Sequence, residues 1–89
     1  MIIRISGEGQ YRLSDDAQAQ INQLDAELEA ALDTDAFPAA LAALIEAVRT
    51  IGEAVPDDAL LASDVVLPPA DASAAEVRGM LADDGLIPG

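Results

Sequence analysis

The chain has 89 residues, 17 of them acidic and four of them arginine, and its formal net charge is -13 at pH 7. Such a charge repels nucleic-acid phosphates and anionic lipid headgroups, which argues against direct binding to either. Cysteine and histidine are absent, which excludes disulfides and thiolate metal sites and removes the commonest catalytic bases and nucleophiles. We therefore expect a protein that is not an enzyme and has no cofactor and no metal site. A basic protein is the favoured kind of partner, although an acidic composition shared across the organism's proteins explains the charge equally well.

The length predicts a single domain spanning residues 1–89. Hydrophobic residues make up 52% of the chain, but many of them are alanines, which bury little apolar area. The core is therefore expected to be marginal, and a partner or self-association would add stability. No signal-peptide pattern and no apolar run of membrane-spanning length is present, so we expect a cytoplasmic protein.

Two short strands are predicted at the start of the chain, over residues 2–6 and 10–13. The β-branched residues of the first strand and the Gly7-Glu8-Gly9 turn signal indicate a β-hairpin. Alternation along both strands places Arg4 and Arg12 on the outward face. The residues expected on the inward face are Ile3, Ile5, Tyr11 and Leu13.

Two amphipathic helices are predicted next, joined by the short segment 33–35. Ser14 or Asp15 is expected to cap the first helix, Thr34 or Asp35 begins the second, and Gly52 ends it. Apolar residues recur at intervals of three and four in both helices, so each set lies on one helix face. The first set is Ala17, Ile21, Leu24, Leu28 and Ala31. The second set is Phe37, Leu41, Leu44, Val48 and Ile51.

The remainder of the chain predicts one short edge strand near residues 64–67 and one short helix. A strand there cannot continue through Pro68, which restricts it to the edge of a sheet. A capping box formed by Ser73 and Glu76 predicts the last helix, which is expected to end near Asp83. The predicted fold class is thus α+β, with an N-terminal β-hairpin, a third short edge strand, a central antiparallel αα-hairpin and a short C-terminal helix.

Candidate interface residues come from two places in the sequence. The apolar stripe of the second helix is wider than packing against the first helix requires, and the surplus includes Ala40, Ala43 and Ala47. The second place is the C-terminal segment. There the acidic pair is unfavourable at a helix C-terminus and is available to a basic partner, and an apolar pair follows. Its candidates are Asp83, Asp84, Leu86 and Ile87.

The two ends of the chain resemble a known family. The opening MIIRISGEGQY, the PDD and SDVVLPPADAS segments, the EVR triplet and the closing GLIPG together resemble the phage-shock-protein-A-associated family, PspAA. The resemblance covers the whole chain, and its most specific parts are GEGQY and GLIPG. The alanine-rich helical middle of the chain agrees with the family but is generic.

The resemblance implies a small cytoplasmic adaptor or regulator of the phage-shock envelope-stress response. Its partner would be the coiled-coil protein PspA, which would recruit it to the inner face of the membrane. Two alternatives remain open from the residues: a homo-oligomeric structural module, and an acidic inhibitor that occupies a basic nucleic-acid-binding partner.

Overall fold

The computed structural model describes residues 1–56 and 61–80, with the backbone alone at Met80. The predicted α+β class is confirmed: N-terminal strands are followed by a helical hairpin and a short C-terminal helix. The strands are β1 (Ile2–Ile5), β2 (Gly9–Arg12), β3 (Glu53–Ala54) and β4 (Val65–Leu67). The helices are α1 (Asp15–Ala31), α2 (Phe37–Ile51) and α3 (Ala74–Met80).

The four strands form one sheet in the order β3-β2-β1-β4. Strand β2 is antiparallel to β1 and β3, whereas β4 is parallel to β1 with Arg4 opposite Val66. The predicted third edge strand is therefore confirmed in β4, and buried Pro68 ends it. Strand β3 was not predicted, because two residues directly after a helix carry no periodicity that distinguishes them from a loop.

The turn between β1 and β2 depends on two glycines with left-handed backbone angles. Gly7 has a φ of 78° and Gly9 a φ of 151°, conformations that glycine adopts without the strain of a side chain. Between them, the backbone N–H of Glu8 donates to the carbonyl of Ile5 at 2.9 Å. This geometry sets the register of the hairpin and presents the Glu8 side chain at its tip.

A hydroxyl side chain caps the start of α1, and another forms a hydrogen bond in the turn before α2. The Ser14 hydroxyl accepts the N–H of Ala17 at 3.2 Å, which confirms one of the two predicted caps. Helix α2 begins at Phe37, two residues after the predicted start at Asp35 and three after the one at Thr34. Its N-cap position is Ala36, which makes no side-chain cap bond, and the hydroxyl of Thr34 instead accepts the N–H of Ala36 at 3.1 Å.

Gly52 ends α2 as predicted, but for a steric reason. Its backbone is extended, with φ at -74° and ψ at 158°, so any residue could adopt the conformation. A side-chain Cβ at this position would lie 2.6 Å from the carbonyl oxygen of Val48 and 3.0 Å from Cβ of Tyr11. Glycine therefore allows the helix end to lie against β2.

The hydrophobic core lies between the inner face of the sheet and the facing stripes of α1 and α2. Ile3, Ile5 and Leu13 are buried as predicted, and Tyr11 is half-buried against them. Ile45 widens the buried stripe of α2, and Val77 adds α3 to the same core. The core side chains of the two long helices are Ala17, Ile21, Leu28, Leu32, Phe37, Leu41, Leu44, Ile45 and Val48.

Two polar residues expected on wet faces are buried. Asp25 is only 3% exposed, because it lies one turn from both Ile21 and Leu28 on the stripe of α1 that faces inward. Gln10 is 8% exposed although it lies on the outward face of β2. Its side chain is covered by residues 61–63, to which its amide nitrogen donates two hydrogen bonds.

Candidate protein-binding surfaces

The three alanines proposed as an interface lie along one side of α2, at intervals of three and four residues. Ala43 is exposed, whereas Ala40 and Ala47 are half-buried and pack against the core. The row therefore follows the border between the buried stripe and solvent. The wider apolar face of α2 is covered largely by the chain's own sheet and by α1, and the exposed remainder is small-residue surface around Ala39, Ala42 and Ala43.

The other four interface candidates fall outside the described residues. These residues are Asp83, Asp84, Leu86 and Ile87, and the predicted end of the last helix near Asp83 falls in the same segment. Within the described part, α3 is positioned by the Ser73 hydroxyl, which accepts the N–H of Glu76 at 3.2 Å. Arg78 forms an ion pair with Asp33 in the turn between the long helices, so its predicted intramolecular role is confirmed.

An ion-pair cluster joins the tip of the β-hairpin to α2. The guanidinium of Arg49 donates to both carboxylate oxygens of Glu8, with its Nε at 2.9 Å from each, and a second donor reaches Glu46 at 3.2 Å. The Tyr11 hydroxyl also donates to Glu8, at 2.9 Å. The cluster therefore connects the hairpin turn, β2 and α2 through one carboxylate that accepts hydrogen bonds from two residues, Tyr11 and Arg49.

The protonation equilibria of this cluster follow from its hydrogen bonds. The guanidinium of Arg49 holds the pKa of Glu8 below its ordinary value, and the hydrogen bond from Tyr11 acts in the same direction. The bond to Glu8, aided by partial burial, raises the pKa of Tyr11 above its usual 10. A phenol stabilised in its neutral form is a poor general base, so this arrangement supports a structural role for the cluster.

The outer face of the sheet carries the other two arginines. Arg4 and Arg12 are exposed and make no ion pair with any residue in the described ranges 1–56 and 61–80. Val66, opposite Arg4 on β4, is 46% exposed. Sequence alternation predicted the outward direction of both arginines. It could not predict that neither pairs with an acid of the described ranges, because that depends on where those acids fold.

A groove of about 190 Å³ adjoins Arg12 on this face. Arg12 and Glu53 supply its charged groups, and the remaining lining is mostly apolar. Its far wall includes Leu61, which is held by the hydrogen bond from the Gln10 amide to the Leu61 carbonyl at 2.9 Å. No sequence signal indicated this groove, because its walls come from strands and a loop that are distant along the chain.

Among the described residues, no group of three or more acidic side chains is placed to hold a metal ion. Across the same residues, no helix has the length and apolar character needed to cross a membrane.

Comparison with known proteins places the chain by family. Neither the curated proteins nor the solved structures give a significant match. A family model described as PspA-Associated protein, PspAA, matches residues 1–89, so the match includes both ends that carry the resemblance and the helical hairpin between them. The chain therefore belongs to the family of PspA-associated proteins.

Proposed function

We propose that this protein is a non-enzymatic adaptor that binds PspA and regulates its part in the phage-shock envelope-stress response. The observation that carries the proposal is the family match over the whole chain, whose description names association with PspA. The protein acts by binding alone, since neither histidine nor cysteine is present and the single tyrosine is held neutral by Glu8. PspA is expected to contribute coiled-coil helices to the complex.

The charge of the molecule supports a partner that carries basic residues. Acids outnumber arginines by 17 to four, and two of the arginines are already paired within the fold. The remaining acidic surface attracts lysines and arginines, and such contacts accelerate association at low salt. Charged coiled-coil helices carry both signs along their flanks and meet this requirement.

Co-purification with PspA, combined with a salt titration, tests the proposal. We expect a complex at low ionic strength whose dissociation constant rises as salt is added. Absence of association at low salt would refute the adaptor function. Cell fractionation tests the cytoplasmic location and the recruitment to the membrane through PspA. The membrane fractions of cells with and without PspA are compared. We expect the protein to leave the membrane fraction when PspA is deleted.

The acidic pair near the C-terminus is tested by a matched pair of variants. Asp83→Asn with Asp84→Asn removes two negative charges, and Glu27→Gln with Glu29→Gln removes the same number from exposed positions on α1. If the C-terminal acids contact basic residues of PspA, the first variant weakens the complex more than the second. Equal effects would show that total charge alone matters and would remove Asp83 and Asp84 from the interface.

Homo-oligomerisation is the alternative function that one structural feature favours. The exposed alanines of α2, with Ala43 among them, form a smooth surface that a second copy could approach closely. Light scattering at micromolar concentrations distinguishes the two: a monomer throughout that range would dismiss a structural module built from copies of this chain.

A further inference from the structure

Asp25 is an acid buried in a core whose own side chains offer it no hydrogen-bond donor. It is 3% exposed and lies between the core positions Ile21 and Leu28 of α1. The core side chains are those of isoleucine, leucine, valine, phenylalanine and alanine, none of which can donate a hydrogen bond. Because burying a carboxylate is costly unless donors surround it, polar groups from another part of the chain must meet Asp25.

The four arginines are not the source of these donors, and the chain has no lysine and no histidine. Arg49 and Arg78 pair with other acids. Arg4 and Arg12 lie on the outer face of the sheet, opposite the face that the helices cover. The N–H groups in the interior of both long helices are engaged within those helices. The donors to Asp25 are therefore uncharged and come from a segment outside α1 and α2.

The C-terminal segment 81–89 begins on the side of the molecule where Asp25 lies. Val77 of α3 is in the core, and Arg78 beside it pairs with Asp33 in the turn that follows α1. The chain therefore leaves α3 close to the end of α1. No residue of the segment has a side-chain donor at neutral pH, but all except the proline carry a backbone N–H.

The loop between β3 and β4 lies on the opposite side of the sheet. The Gln10 side chain, on the outer face of β2, donates to the Leu61 carbonyl at 2.9 Å and to the Ser63 hydroxyl at 2.8 Å. These bonds hold the loop against the face that the helices do not cover. The sheet thus separates this loop from Asp25, which leaves the C-terminal segment as the source of the donors.

We propose that the C-terminal segment 81–89 packs against α1, with its backbone N–H groups bonded to the carboxylate of Asp25. The apolar residues of the segment, Leu81, Leu86 and Ile87, supply the cover that keeps the carboxylate from water. Asp25 is then the anchor of the segment, and Asp83 and Asp84 are carried on a docked part of the fold. The inference concerns the free protein and does not depend on binding to PspA.

Hydrogen exchange in the full-length protein tests the docking. We expect backbone amides of residues 81–89 to exchange slowly in the wild type and about tenfold faster or more in Asp25→Ala, which removes the charged acceptor. Unchanged exchange in α2 would show that the variant folds. Glu27→Ala removes an exposed acid from the same helix and should leave the segment protected. A wild-type segment that exchanges like an unstructured peptide, or one equally protected in Asp25→Ala, would overturn the proposal.

A spin label tests the docking without any change at Asp25. The chain has no cysteine, so Gly89→Cys provides a single site for a nitroxide. In NMR spectra of the labelled protein, we expect the amides of α1 around Asp25 to broaden more than those of β3. Broadening spread evenly over the surface would mean that the segment does not dock and would overturn the proposal. Both measurements use the protein alone, so their failure is distinct from a failure to bind PspA.

Discussion

At the scale of single residues, the contacts that distinguish this fold join positions far apart in the sequence. Glu8 and Arg49 are separated by 41 positions and Gln10 and Ser63 by 53, yet each pair is in direct contact. The Gly7-Glu8-Gly9 signal indicated only a turn, and alternation along the strand indicated only that Gln10 lies on the face opposite Tyr11. Both roles depend on where other elements pack, so local spacing contains no signal for them.

Tyr11 reports on the ion-pair cluster, because it is the only tyrosine in the chain. Its hydroxyl donates to Glu8, which stabilises the neutral phenol and raises its pKa. We expect Glu8→Gln to lower the pKa of Tyr11 toward 10, since the negatively charged acceptor is lost. Ultraviolet absorbance of the tyrosinate as a function of pH measures this directly. Glu27→Gln, an exposed change on α1, should leave the titration where it is, and an identical curve for Glu8→Gln would disprove the contact.

Gln10 is expected to stabilise the fold by holding residues 61–63 over the sheet. Its amide nitrogen lies 2.9 Å from the Leu61 carbonyl and 2.8 Å from the Ser63 hydroxyl. Gln10→Ala leaves both acceptors without this donor, and the expected loss in the free energy of unfolding is about 1–3 kcal/mol. Urea denaturation measures the loss. Gln20→Ala, at an exposed position on α1, is the control, and an equal midpoint for both variants would contradict the anchoring role.

At the scale of elements, the spacing of apolar residues predicted the helices and the faces that they bury. The apolar intervals of α1 and α2 predicted both helices and most of their core residues, because a helix must bury its stripe regardless of what covers it. Residue type alone places Asp25 in solvent, but its position one turn from both Ile21 and Leu28 puts it on the buried stripe. The end of α2 followed from Gly52, but the helix begins only at Phe37, after a turn in which the Thr34 hydroxyl accepts the N–H of Ala36.

The hydrogen bonds of the Thr34 hydroxyl, in the turn between α1 and α2, can be tested by substitution. The Thr34 hydroxyl accepts the N–H of Ala36 at 3.1 Å and donates to the carbonyl of Ala31 at 2.8 Å, so it joins the end of one helix to the start of the next. Thr34→Ala removes both bonds and should cost about 1 kcal/mol of stability. Thr34→Ser keeps the hydroxyl and should cost much less. Thermal denaturation compares the stability of the two variants. Equal melting temperatures would show that the hydrogen bonds of the Thr34 hydroxyl do not stabilise the fold.

At the scale of the whole molecule, charge acts on stability as well as on partners. A net charge of -13 on a domain of 89 residues produces self-repulsion that favours expansion. Raising the salt concentration from about 10 mM to 300 mM should therefore increase the melting temperature, because the Debye length falls below the spacing of surface charges. Glu27→Gln with Glu29→Gln should reduce this increase. A melting temperature that falls with salt would show that the ion pairs outweigh the repulsion.

The candidate site was less predictable than the fold for a physical reason. An interface is defined by what remains exposed and unpaired after folding, and that depends on all the elements together. Of the alanines named as the surplus of α2, Ala40 and Ala47 pack partly against the core and Ala43 is exposed. That Arg4 and Arg12 form no ion pair with any residue in 1–56 or 61–80 depends on where the acids of those ranges fold.

The position of β4 has a consequence for how the chain folds. Ile2 on β1 and Asp64 at the start of β4 are 62 positions apart, whereas the antiparallel β2 follows β1 after a short turn. Pairings between distant segments form slowly, because the intervening chain must first be ordered. Until β4 pairs with β1, the free edge of β1 is an apolar strand edge on which other chains can pair and aggregate. Repulsion between highly acidic chains limits such aggregation while β4 is unpaired. The negative charge therefore assists folding as well as partner binding.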